Sequence, residues 1–386
     1  MKAVVLDGEL KSALAAAREL HSAGIEVIAG SERKVAMTYS SRAATRHFVY
    51  PSPKKNQKAF VEHLKKIVGT STQKPVVFAF SDATYMTLAE YAEELLPLCL
   101  FTLPNAAARE RIFNKRATYD LANSLQIPTI TELSVETAAA FPVVIKPRMS
   151  VSWQNSEGVF GTAEMVFDKK QLQEKYEAIR RKTGQSPIIQ EFIIGDEYGV
   201  ELLCDKGQTL LSFGHKRIRS LSPRGGAATV KETLKDESIR RLLTRYAESI
   251  AKAVNWTGPL MVELKYNSHT NQYMLMETNG RFWGSLPLAL QAGVPFVLRY
   301  FEMLQGVTLR QEPVVTKEIR TQHLLGDVRW LLLLWFKPDL LREKLYPSRL
   351  SGTLRFFRDT LVTKKDVWSL KDPLPGFIEI LQAIKK

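Results

Sequence analysis

Three strongly polar residues lie two positions apart at the end of one apolar segment. Residues 275–285 read LMETNGRFWGS, so Glu277, Asn279 and Arg281 share one face if the segment is a strand. An acid, an amide and a guanidinium on one strand face are groups of the kind that bind a metal–phosphate complex. We therefore predict a polar site here, although a solvated strand face would carry the same residues.

A second strand supplies the partner for this one. The segments 261–267 (MVELKYN) and 273–279 (YMLMETN) flank the short polar loop SHTNQ, which predicts an antiparallel hairpin. Period-two alternation places Glu263 and Lys265 on one face of the first strand. The two acids and the amide then form a hard-oxygen ligand set that suits Mg²⁺ held with phosphates and does not suit zinc or copper. The opposite face of the hairpin is predicted to be apolar and interior, formed by Val262, Leu264, Met274 and Met276.

The chain before this hairpin contributes a lysine at a strand end. A single helix is predicted over 104–125, and the apolar strand FPVVIKP at 141–147 then delivers Lys146. The side chain of such a lysine either reaches solvent along its apolar stem or serves a site. The strand alone does not decide between the two.

The elements before residue 100 follow an α/β pattern. Residues 3–7 are an apolar run, 10–23 carry helical periodicity and 25–29 form a second strand, which together predict a β-α-β start. VVFAF at 76–80 predicts another buried strand, and Ser81 is a cap for the helix that follows. The turn after the first strand lacks GxGxxG spacing, so no dinucleotide site is predicted in this region.

Five elements in chain order resemble those of the ATP-grasp superfamily. They are Lys115 in FNKRATYDLANSLQIP, Lys146 in FPVVIKP, the segment QEFIIGDEYGVELL, Glu263 in MVELKY, and ETNGRFWGS. The resemblance extends over residues 1–310 and is closest in kind to the carboxylate–amine ligase and carbamoyl-phosphate-synthase-like members. The closing ETNGR has Gly280 where the family more often has proline, a change that leaves the three polar side chains in place.

The resemblance implies a fold of mixed α/β and α+β class. A parallel α/β domain of the kind that precedes ATP-grasp folds is expected over 1–103. A two-subdomain ATP-grasp domain is expected over 104–312, with a lid over about 125–195, and a helical appendage over 313–386. After its strand lysine the family often has a glycine-rich loop that covers the phosphates. Here the loop 148–161 carries serines and a tryptophan instead, so its conformation is left open.

By the same resemblance, ATP lies between the two subdomains. Lys115 and Lys146 would contact the α- and β-phosphates, and Glu197 would hold the ribose hydroxyls. Arg281 would act with Lys146 in catalysis. Backbone groups of four residues would face the adenine edge: Gln190, Glu191, Phe192 and Ile193. The ligands of one or two Mg²⁺ or Mn²⁺ ions that bridge the phosphates would be Glu263, Glu277 and Asn279.

Most members of the superfamily are similar in their reaction. They couple a carboxylate to an amine or another nucleophile through an acyl-phosphate, because a carboxylate has no usable leaving group until its oxygen carries phosphate. The resemblance therefore implies an ADP-forming, ATP-dependent ligase that acts on a small-molecule carboxylate and an amine. A small-molecule kinase and a non-catalytic ATP-binding protein remain alternatives within the same fold.

The segment FGHKRIRSLSPRGGAATVKET at 213–233 is the candidate for substrate recognition. It concentrates basic residues ahead of a glycine pair, and arginines bind a planar carboxylate through two hydrogen bonds. Arg217 and Arg224 are the predicted contributors, whereas His215 is expected to be structural. A solvated basic loop would have the same composition, so both interpretations stay open.

The composition is that of a globular protein with a basic excess. Lysine and arginine outnumber aspartate and glutamate by 54 to 40, which favours anionic partners. The chain has no basic stripe interleaved with aromatic residues and no known nucleic-acid module, so no nucleic acid is expected. Cys99 and Cys204 lie far apart without CxxC pairing, which gives no disulfide framework and favours a reducing, cytoplasmic location.

The region 313–386 is not explained by the resemblance. Its longest apolar run, WLLLLWF at 330–336, is too short to span a bilayer, so no transmembrane segment is predicted. The region combines aromatic residues with a basic excess. Three roles stay open for it: packing on the core, completing the active site, or peripheral contact with an anionic membrane surface. Homodimers are common for folds of this kind, and a homodimer is kept as an expectation.

Overall fold

The computed structural model describes residues 1–69, 71, 73–154, 157–222, 225–309, 316–337 and 347–384. The strands in these ranges form three sheets and a separate two-stranded hairpin. None of the helices found there is long and apolar enough to cross a membrane.

The N-terminal part is a parallel sheet flanked by helices. Its strands have the spatial order β3-β2-β1-β4 and are β1 (Lys2–Val5), β2 (Glu26–Ser31), β3 (Arg46–Val49) and β4 (Val76–Phe78). The helices are α1 (Lys11–Ser22), α2 (Gln57–Val68), α3 (Asp82–Glu90) and α4 (Ala92–Leu95). The predicted β-α-β start is confirmed, and so is the cap, because the Ser81 hydroxyl accepts a hydrogen bond from the Thr84 amide. Periodicity does not predict β3, because this edge strand is largely exposed.

The single helix predicted over 104–125 is in fact two helices, α5 (Ala106–Phe113) and α6 (Lys115–Ser124). Asn114 separates them with an extended backbone, and its side chain accepts a hydrogen bond from the Arg116 amide as an N-cap. The prediction was wrong because helical periodicity continues across this capping residue. The break places Lys115 at the start of α6, where its amide donates to Arg148 O at 2.9 Å.

The next six strands build a smaller antiparallel sheet and a hairpin. They are β5 (Glu132–Leu133), β6 (Val143–Lys146), β7 (Val151–Gln154), β8 (Glu157–Phe160), β9 (Glu164–Val166) and β10 (Ile188–Glu191). Four of them pair in the order β5-β10-β6-β9, while β7 and β8 pair only with each other. Helix α7 (Lys169–Thr183) packs on the sheet through Leu172, which contacts the apolar side chains of β6.

The largest sheet has the order β15-β14-β11-β12-β13-β16-β17. Its first five strands along the chain are antiparallel: β11 (Glu197–Asp205), β12 (Gln208–Ser222), β13 (Gly225–Thr233), β14 (Gly258–Asn267) and β15 (Gln272–Asn279). Helix α8 (Glu237–Ala253) packs on one face through Leu243 and Ile250. Helices α9 (Leu286–Gln291) and α10 (Phe296–Leu304) join a second core that also contains Phe78 of the parallel sheet.

The C-terminal region contributes strands as well as the predicted helices. Strand β16 (Arg320–Gln322) extends the large sheet beside β13, and β17 (Lys364–Lys365) pairs with β16. The helices are α11 (Leu324–Phe336), α12 (Arg349–Val362) and α13 (Leu374–Ile384). Such short polar strands show no apolar alternation, so the sequence does not predict them. The region is thus built into the sheet and is not a purely helical appendage, and the boundaries drawn after 103 and 312 stay predictions.

Buried carboxylates fasten the C-terminal region to the rest of the chain. Asp366 is 2% exposed and accepts hydrogen bonds from Lys231 of β13 and Lys11 of α1, both at 2.6 Å. Burial opposes the ionisation of Asp366, but the two lysines outweigh it and hold its pKa well below the usual value. Asp359 of α12 is likewise paired with two arginines of the large sheet, Arg219 and Arg320. Each acid fixes segments that are remote in sequence, because a buried carboxylate stays charged only beside such partners.

Replacing Asp366 by alanine should destabilise the protein strongly, because it leaves Lys231 and Lys11 without their shared counter-ion. We expect the free energy of unfolding, measured by urea titration, to fall by about 3–5 kcal/mol. The matched control Glu164→Ala removes a surface pair with Lys175 and should lower it by less than about 1 kcal/mol. An Asp366→Ala protein as stable as this control would contradict the anchoring role.

Candidate functional site

The hairpin of β14 and β15 brings the two predicted acids face to face. Glu263 and Glu277 are directly opposite each other in the antiparallel register. The register shifts after this pair, so that Leu264 lies opposite Leu275 and Met276 is left as the extra residue of a bulge. The predicted hairpin is confirmed, with an irregularity that alternation alone does not show.

The bulge changes which side chains face the core. Leu275 packs in the main core with two of the predicted apolar residues, Val262 and Leu264. The prediction was wrong for Met274 and Met276, which pack instead with Ile130 and Ile193. Because the bulge adds one residue, Met276 and its neighbour Glu277 both line the same cavity.

This cavity has a volume of about 820 Å³ and separates the hairpin from the smaller antiparallel sheet. Strands β6 and β10 contribute to the opposite wall, and β12 closes one side. Every predicted site residue that the structure describes lines it: Lys115, Lys146, Gln190, Glu191, Phe192, Ile193, Glu197, Arg217, Glu263, Glu277, Asn279 and Arg281. Arg224 lies outside the described residues.

The Lys146 side chain is buried against the cavity and held by a tyrosine. Its Nζ donates to Tyr119 Oη at 2.5 Å and to Met276 O at 3.3 Å. Burial lowers the pKa of Lys146 to about 8, although the Glu277 carboxylate favours its charged form. This strand-end lysine therefore serves the cavity and does not extend to the outer surface. Sequence reasoning missed Tyr119, for which the signal is its position four residues after Lys115 on one helix.

Lys115 approaches the same carboxylate from the start of α6. Its Nζ donates to Ser150 Oγ at 3.0 Å and lies 3.6 Å from Glu277 Oε2. Burial opposes the ionisation of Glu277, but Lys115 and Lys146 outweigh it and lower the pKa of that carboxyl group. Two lysines and a carboxylate therefore meet at one end of the cavity.

Arg217 is shared by the other two acids of the cavity. Its guanidinium donates to Glu197 Oε2 at 2.7 Å and to Glu263 Oε2 at 3.2 Å, and Lys265 donates to Glu197 Oε1 at 3.0 Å. Burial raises the pKa of Glu263, Arg217 opposes that effect, and the facing Glu277 adds to it. The facing pair is therefore short of positive charge on the side of Glu263, a deficit that a divalent cation would fill.

Arg281 is anchored to the N-terminal parallel sheet. Its Nε donates to Asp82 Oδ1 at 2.7 Å, Nη2 to Asn279 Oδ1 at 3.2 Å and Nη1 to Phe282 O at 3.0 Å. Asp82 is the first residue of α3, so the position of this helix determines where the guanidinium lies. Protein acceptors already take an N–H from each of the three guanidinium nitrogens, and the catalytic role predicted for Arg281 stays a prediction.

Close packing explains why this chain has glycine in ETNGR. A Cβ atom at Gly280 would lie 2.6 Å from the ring of Trp256 and 2.9 Å from that of Phe113. Trp256 is fully buried, and its indole N–H donates to Pro259 O at 3.1 Å. The rings of Trp256 and Phe113 therefore occupy the space that a proline side chain at position 280 would need.

The loop 148–161, whose conformation the sequence left open, contains the hairpin β7–β8, and residues 155–156 between the two strands lie outside the described residues. Trp153 Nε1 donates to Pro53 O at 3.3 Å, and the Gly158 amide donates to Lys54 O at 2.7 Å. The hairpin therefore rests on the N-terminal part of the chain. An aromatic side chain makes one of these contacts at a place where the family often has glycine.

Only part of the basic segment 213–233 reaches the cavity within its described residues. Arg217 and His215 line it, and His215 Nδ1 lies 2.9 Å from the buried Glu201 Oε1. This pair agrees with the structural role expected for the histidine. Arg219 is bound elsewhere by two C-terminal acids, Asp327 and Asp359.

The donor chemistry of the cavity fits a divalent cation that is bound together with phosphate. Glu263, Glu277 and Asn279 offer carboxylate and amide oxygens, which Mg²⁺ prefers. In the part of the chain that the structure describes, no group of three or more His, Cys, Asp or Glu residues could hold a metal ion alone. Two carboxylates and one amide would leave several positions of an octahedral shell to water and phosphate oxygens, as is usual for this ion.

Comparison with known proteins begins with the sequence. A family model described as "ATP-grasp in the biosynthetic pathway with Ter operon" matches residues 184–326. This range runs from just before β10 into α11 and includes the hairpin with both acids. No protein of curated function matches the sequence.

Several solved structures share the fold. The biotin carboxylase domain of Hydrogenobacter thermophilus 2-oxoglutarate carboxylase, crystallised with MgADP, ADP and bicarbonate, is 15% identical with a TM-score of 0.62, over 83% of this chain and 73% of that one. L-amino acid ligase from Bacillus licheniformis is 17% identical with a TM-score of 0.58, over 79% and 74%. N5-carboxyaminoimidazole ribonucleotide synthetase from Thermotoga maritima is 14% identical with a TM-score of 0.56, over 83% and 79%. At identities this low the likeness concerns the fold alone.

Lys146 should lose its charge near pH 8, because burial lowers its pKa to about 8. The positive charge is present below that pH and absent above it, so binding of a polyanion in the cavity should weaken as the pH rises. We expect the affinity for tripolyphosphate, measured by calorimetry, to fall about tenfold between about pH 7 and pH 9.

The matched control for this titration is Lys146→Arg, whose guanidinium stays charged throughout the range. The titration of tripolyphosphate itself is common to both proteins and cancels in the comparison. Parallel pH profiles for the two proteins would show that Lys146 does not titrate in this range.

Proposed function

We propose that this chain is an ATP-dependent ligase of the ATP-grasp superfamily, because the ATP-grasp family model matches residues 184–326 and solved structures of similar fold cover most of the chain. In the proposed reaction a carboxylate is joined to an amine, or to a similar nucleophile, through an acyl-phosphate, and ADP and phosphate are released. The proteins of similar fold include one named as a ligase and one named as a synthetase, which supports this reaction class.

One observation carries the proposal, namely the set of charges gathered in a single cavity. Lys115 and Lys146 supply positive charge beside Glu277, and Glu263 and Asn279 add oxygen ligands on the same hairpin. Burying these charges costs free energy, which a bound polyanion and its cation would offset. A cavity of about 820 Å³ has the size of a small-molecule site.

The nucleotide would lie along the wall formed by β10 and the segment that follows it. Residues 190–193 would face the adenine edge, and Glu197 would hold the ribose hydroxyls. Met276 and Ile193 give this end of the cavity apolar surface suited to a base. We keep 104–312 as the nucleotide-binding domain, with its lid over about 125–195, because the walls of the cavity come chiefly from these residues.

Glu263, Glu277 and Asn279 would hold one or two Mg²⁺ or Mn²⁺ ions. A bound divalent ion supplies charge neutralisation at phosphate oxygens, which is what lets an anionic nucleophile approach the γ-phosphorus. The side chains meet the requirement for such a site, since they are oxygen donors and the two acids face each other across one hairpin. Arg217 keeps Glu263 oriented through its hydrogen bond to Oε2.

The two lysines would bind the phosphates, and Arg281 would stabilise the reacting end. Tyr119 holds Lys146 in place through the hydrogen bond at 2.5 Å, so the ammonium is positioned before substrate arrives. Asp82 does the same for Arg281. Because Arg217 already pairs with two carboxylates of the cavity, we assign it to their orientation and leave substrate recognition to other parts of the basic segment.

The proposed reaction balances in two steps. A carboxylate oxygen of the substrate attacks the γ-phosphorus, the bond to the β-phosphate oxygen breaks, and ADP leaves. The amine then attacks the acyl carbon, the carbon–oxygen bond to phosphate breaks, and the nitrogen loses a proton to solvent. No side-chain nucleophile is required, so Cys204 and Ser285 have no covalent role in this scheme.

The proposal is tested by a substrate screen. Purified protein with Mg²⁺ and ATP is incubated with pooled amino acids and small carboxylates, and ADP release is measured. A ligase should release ADP only when both a carboxylate and an amine are present, with Lys146→Ala as the inactive control. A stable phosphorylated product would replace the ligase by a kinase, and turnover no greater than in Lys146→Ala would leave a binding role.

Replacing Glu277 by glutamine should remove turnover and leave the fold intact. The amide keeps the shape of the side chain but loses the charge that the two lysines and a cation would share, so we expect the rate to fall about 100-fold or more. The matched control is Glu174→Gln, which removes an exposed acid on α7 and should keep full activity. Equal rates in the two variants, with unchanged melting temperatures, would show that Glu277 is not part of the site.

A further inference from the structure

Helix α12 turns an apolar stripe away from the protein. Its members are largely exposed, at 71%, 62%, 57% and 85% of their surface: Leu350, Leu354, Phe357 and Leu361. Their 4-3-4 spacing places them in one line along the helix. The buried side of α12 and its C-cap is formed by Gly352, Phe356, Asp359 and Thr363, which have the same spacing offset by two residues. Two residues correspond to about 200° of helical rotation, so the two stripes point in opposite directions.

The end of α11 continues this apolar surface. Leu332, Trp335 and Phe336 are exposed at 49%, 46% and 73%. Trp335 joins the two helices, because its indole Nε1 donates to Thr353 Oγ1 at 3.1 Å. The guanidinium of Arg349 lies 5.6 Å from the centre of the Trp335 ring. We call the set Leu332, Trp335, Phe336, Leu350, Leu354, Phe357 and Leu361 the α11–α12 surface.

On the described residues of α11 and α12, basic side chains are exposed and acidic side chains are buried. The exposed charged residues of α11, its C-cap and α12 are all basic: Arg329, Lys337, Arg349, Arg355 and Arg358. Over the described parts of 324–384 every acidic side chain is buried, namely Asp327, Asp359, Asp366, Asp372 and Glu379. Each of these acids is paired with a cationic or histidine side chain. Within the described residues of α11 and α12, the outward face therefore combines large apolar side chains with basic ones.

We propose that the α11–α12 surface docks on a lipid bilayer with anionic headgroups. Leucine, phenylalanine and tryptophan bordered by arginine and lysine form the pattern of a helix that lies in the interface of such a bilayer. Each basic residue near an anionic leaflet adds to the attraction. The proposal goes beyond the ligase function and does not rest on it.

Charge also argues against the other occupants of this face. The stripe of α12 has the spacing of a coiled-coil seam, but a second copy of the chain would bring the same positive side chains toward each other. An uncharged protein groove would accommodate the leucines and offer no counter-charge to the exposed arginines. An anionic bilayer accommodates both, with apolar side chains in the acyl boundary and basic side chains among the headgroups.

The test is flotation of the full-length protein with vesicles. Vesicles of phosphatidylcholine alone are compared with vesicles of phosphatidylcholine and phosphatidylglycerol, at low and at high salt. We expect binding to the anionic vesicles only, and weaker binding as salt rises. Equal binding to neutral vesicles, or none to either kind, would overturn the proposal.

Two variants locate the contact. Leu354→Glu with Phe357→Glu places acids in the stripe and should lower the partition coefficient at least about tenfold, and Arg355→Glu should lower it by about fivefold or more. The control Val307→Glu alters a similarly exposed apolar residue, at 50%, outside this surface and should bind as the parent does. Melting temperatures confirm that each variant is folded.

Sedimentation of the same proteins distinguishes a second copy as the occupant. A parent protein that is dimeric, and becomes monomeric in the Leu354→Glu and Phe357→Glu variant, would assign the surface to self-association and overturn the membrane proposal. A parent whose oligomeric state is unchanged by these substitutions, together with loss of vesicle binding, would support it.

Discussion

Buried carboxylates of the C-terminal region pair with cationic side chains from remote segments and so fix this region to the first helix and the large sheet. Asp366 draws in Lys11 from the first helix and Lys231 from the large sheet, and Asp359 does the same for two arginines of that sheet. A carboxylate without water keeps its charge only if the partners stay, so the loss of one partner from such a pair is costly. The cavity depends on them indirectly, because β12 and β13 carry cavity residues on the same strands whose other residues meet the C-terminal acids.

Buried acids and bases also pair inside the cavity, but there the negative charge is not fully compensated. There the acids and bases pair incompletely, since Glu263 and Glu277 face each other across the hairpin and one carboxyl group has a raised pKa while the other has a lowered one. The structural carboxylates have their counter-ions within the chain, whereas the pairs of the cavity leave charge for a ligand to complete. The hairpin bulge adds to this, because it allows an apolar side chain and an acid that are adjacent in sequence to face one space.

The sequence predicts those features that lie within one segment. Alternation identifies the hairpin, and residue type marks Glu263, Glu277 and Asn279 as candidate metal ligands, whereas Lys146 enters the candidate site only through the family resemblance. It does not predict the bulge at Met276 or the helix break at Asn114, since both are single-residue departures from a period that otherwise continues. Nor does it predict the pairing of Lys11 with Asp366, which are 355 positions apart and meet only through the fold. The C-terminal strands escape prediction because two or three polar residues show no period.

Because the exposed charged residues of α11 and α12 are basic, this surface should bind polyanions without specificity. Over the described parts of 324–384 the acidic side chains are buried, so the exposed basic side chains there form a positively charged outer layer. In dilute buffer such a layer retains any polyanion without selecting among sequences, and added salt releases it. Nucleic acid that copurifies with the protein would therefore reflect non-specific electrostatic binding to this surface and would not indicate that nucleic acid is its functional partner.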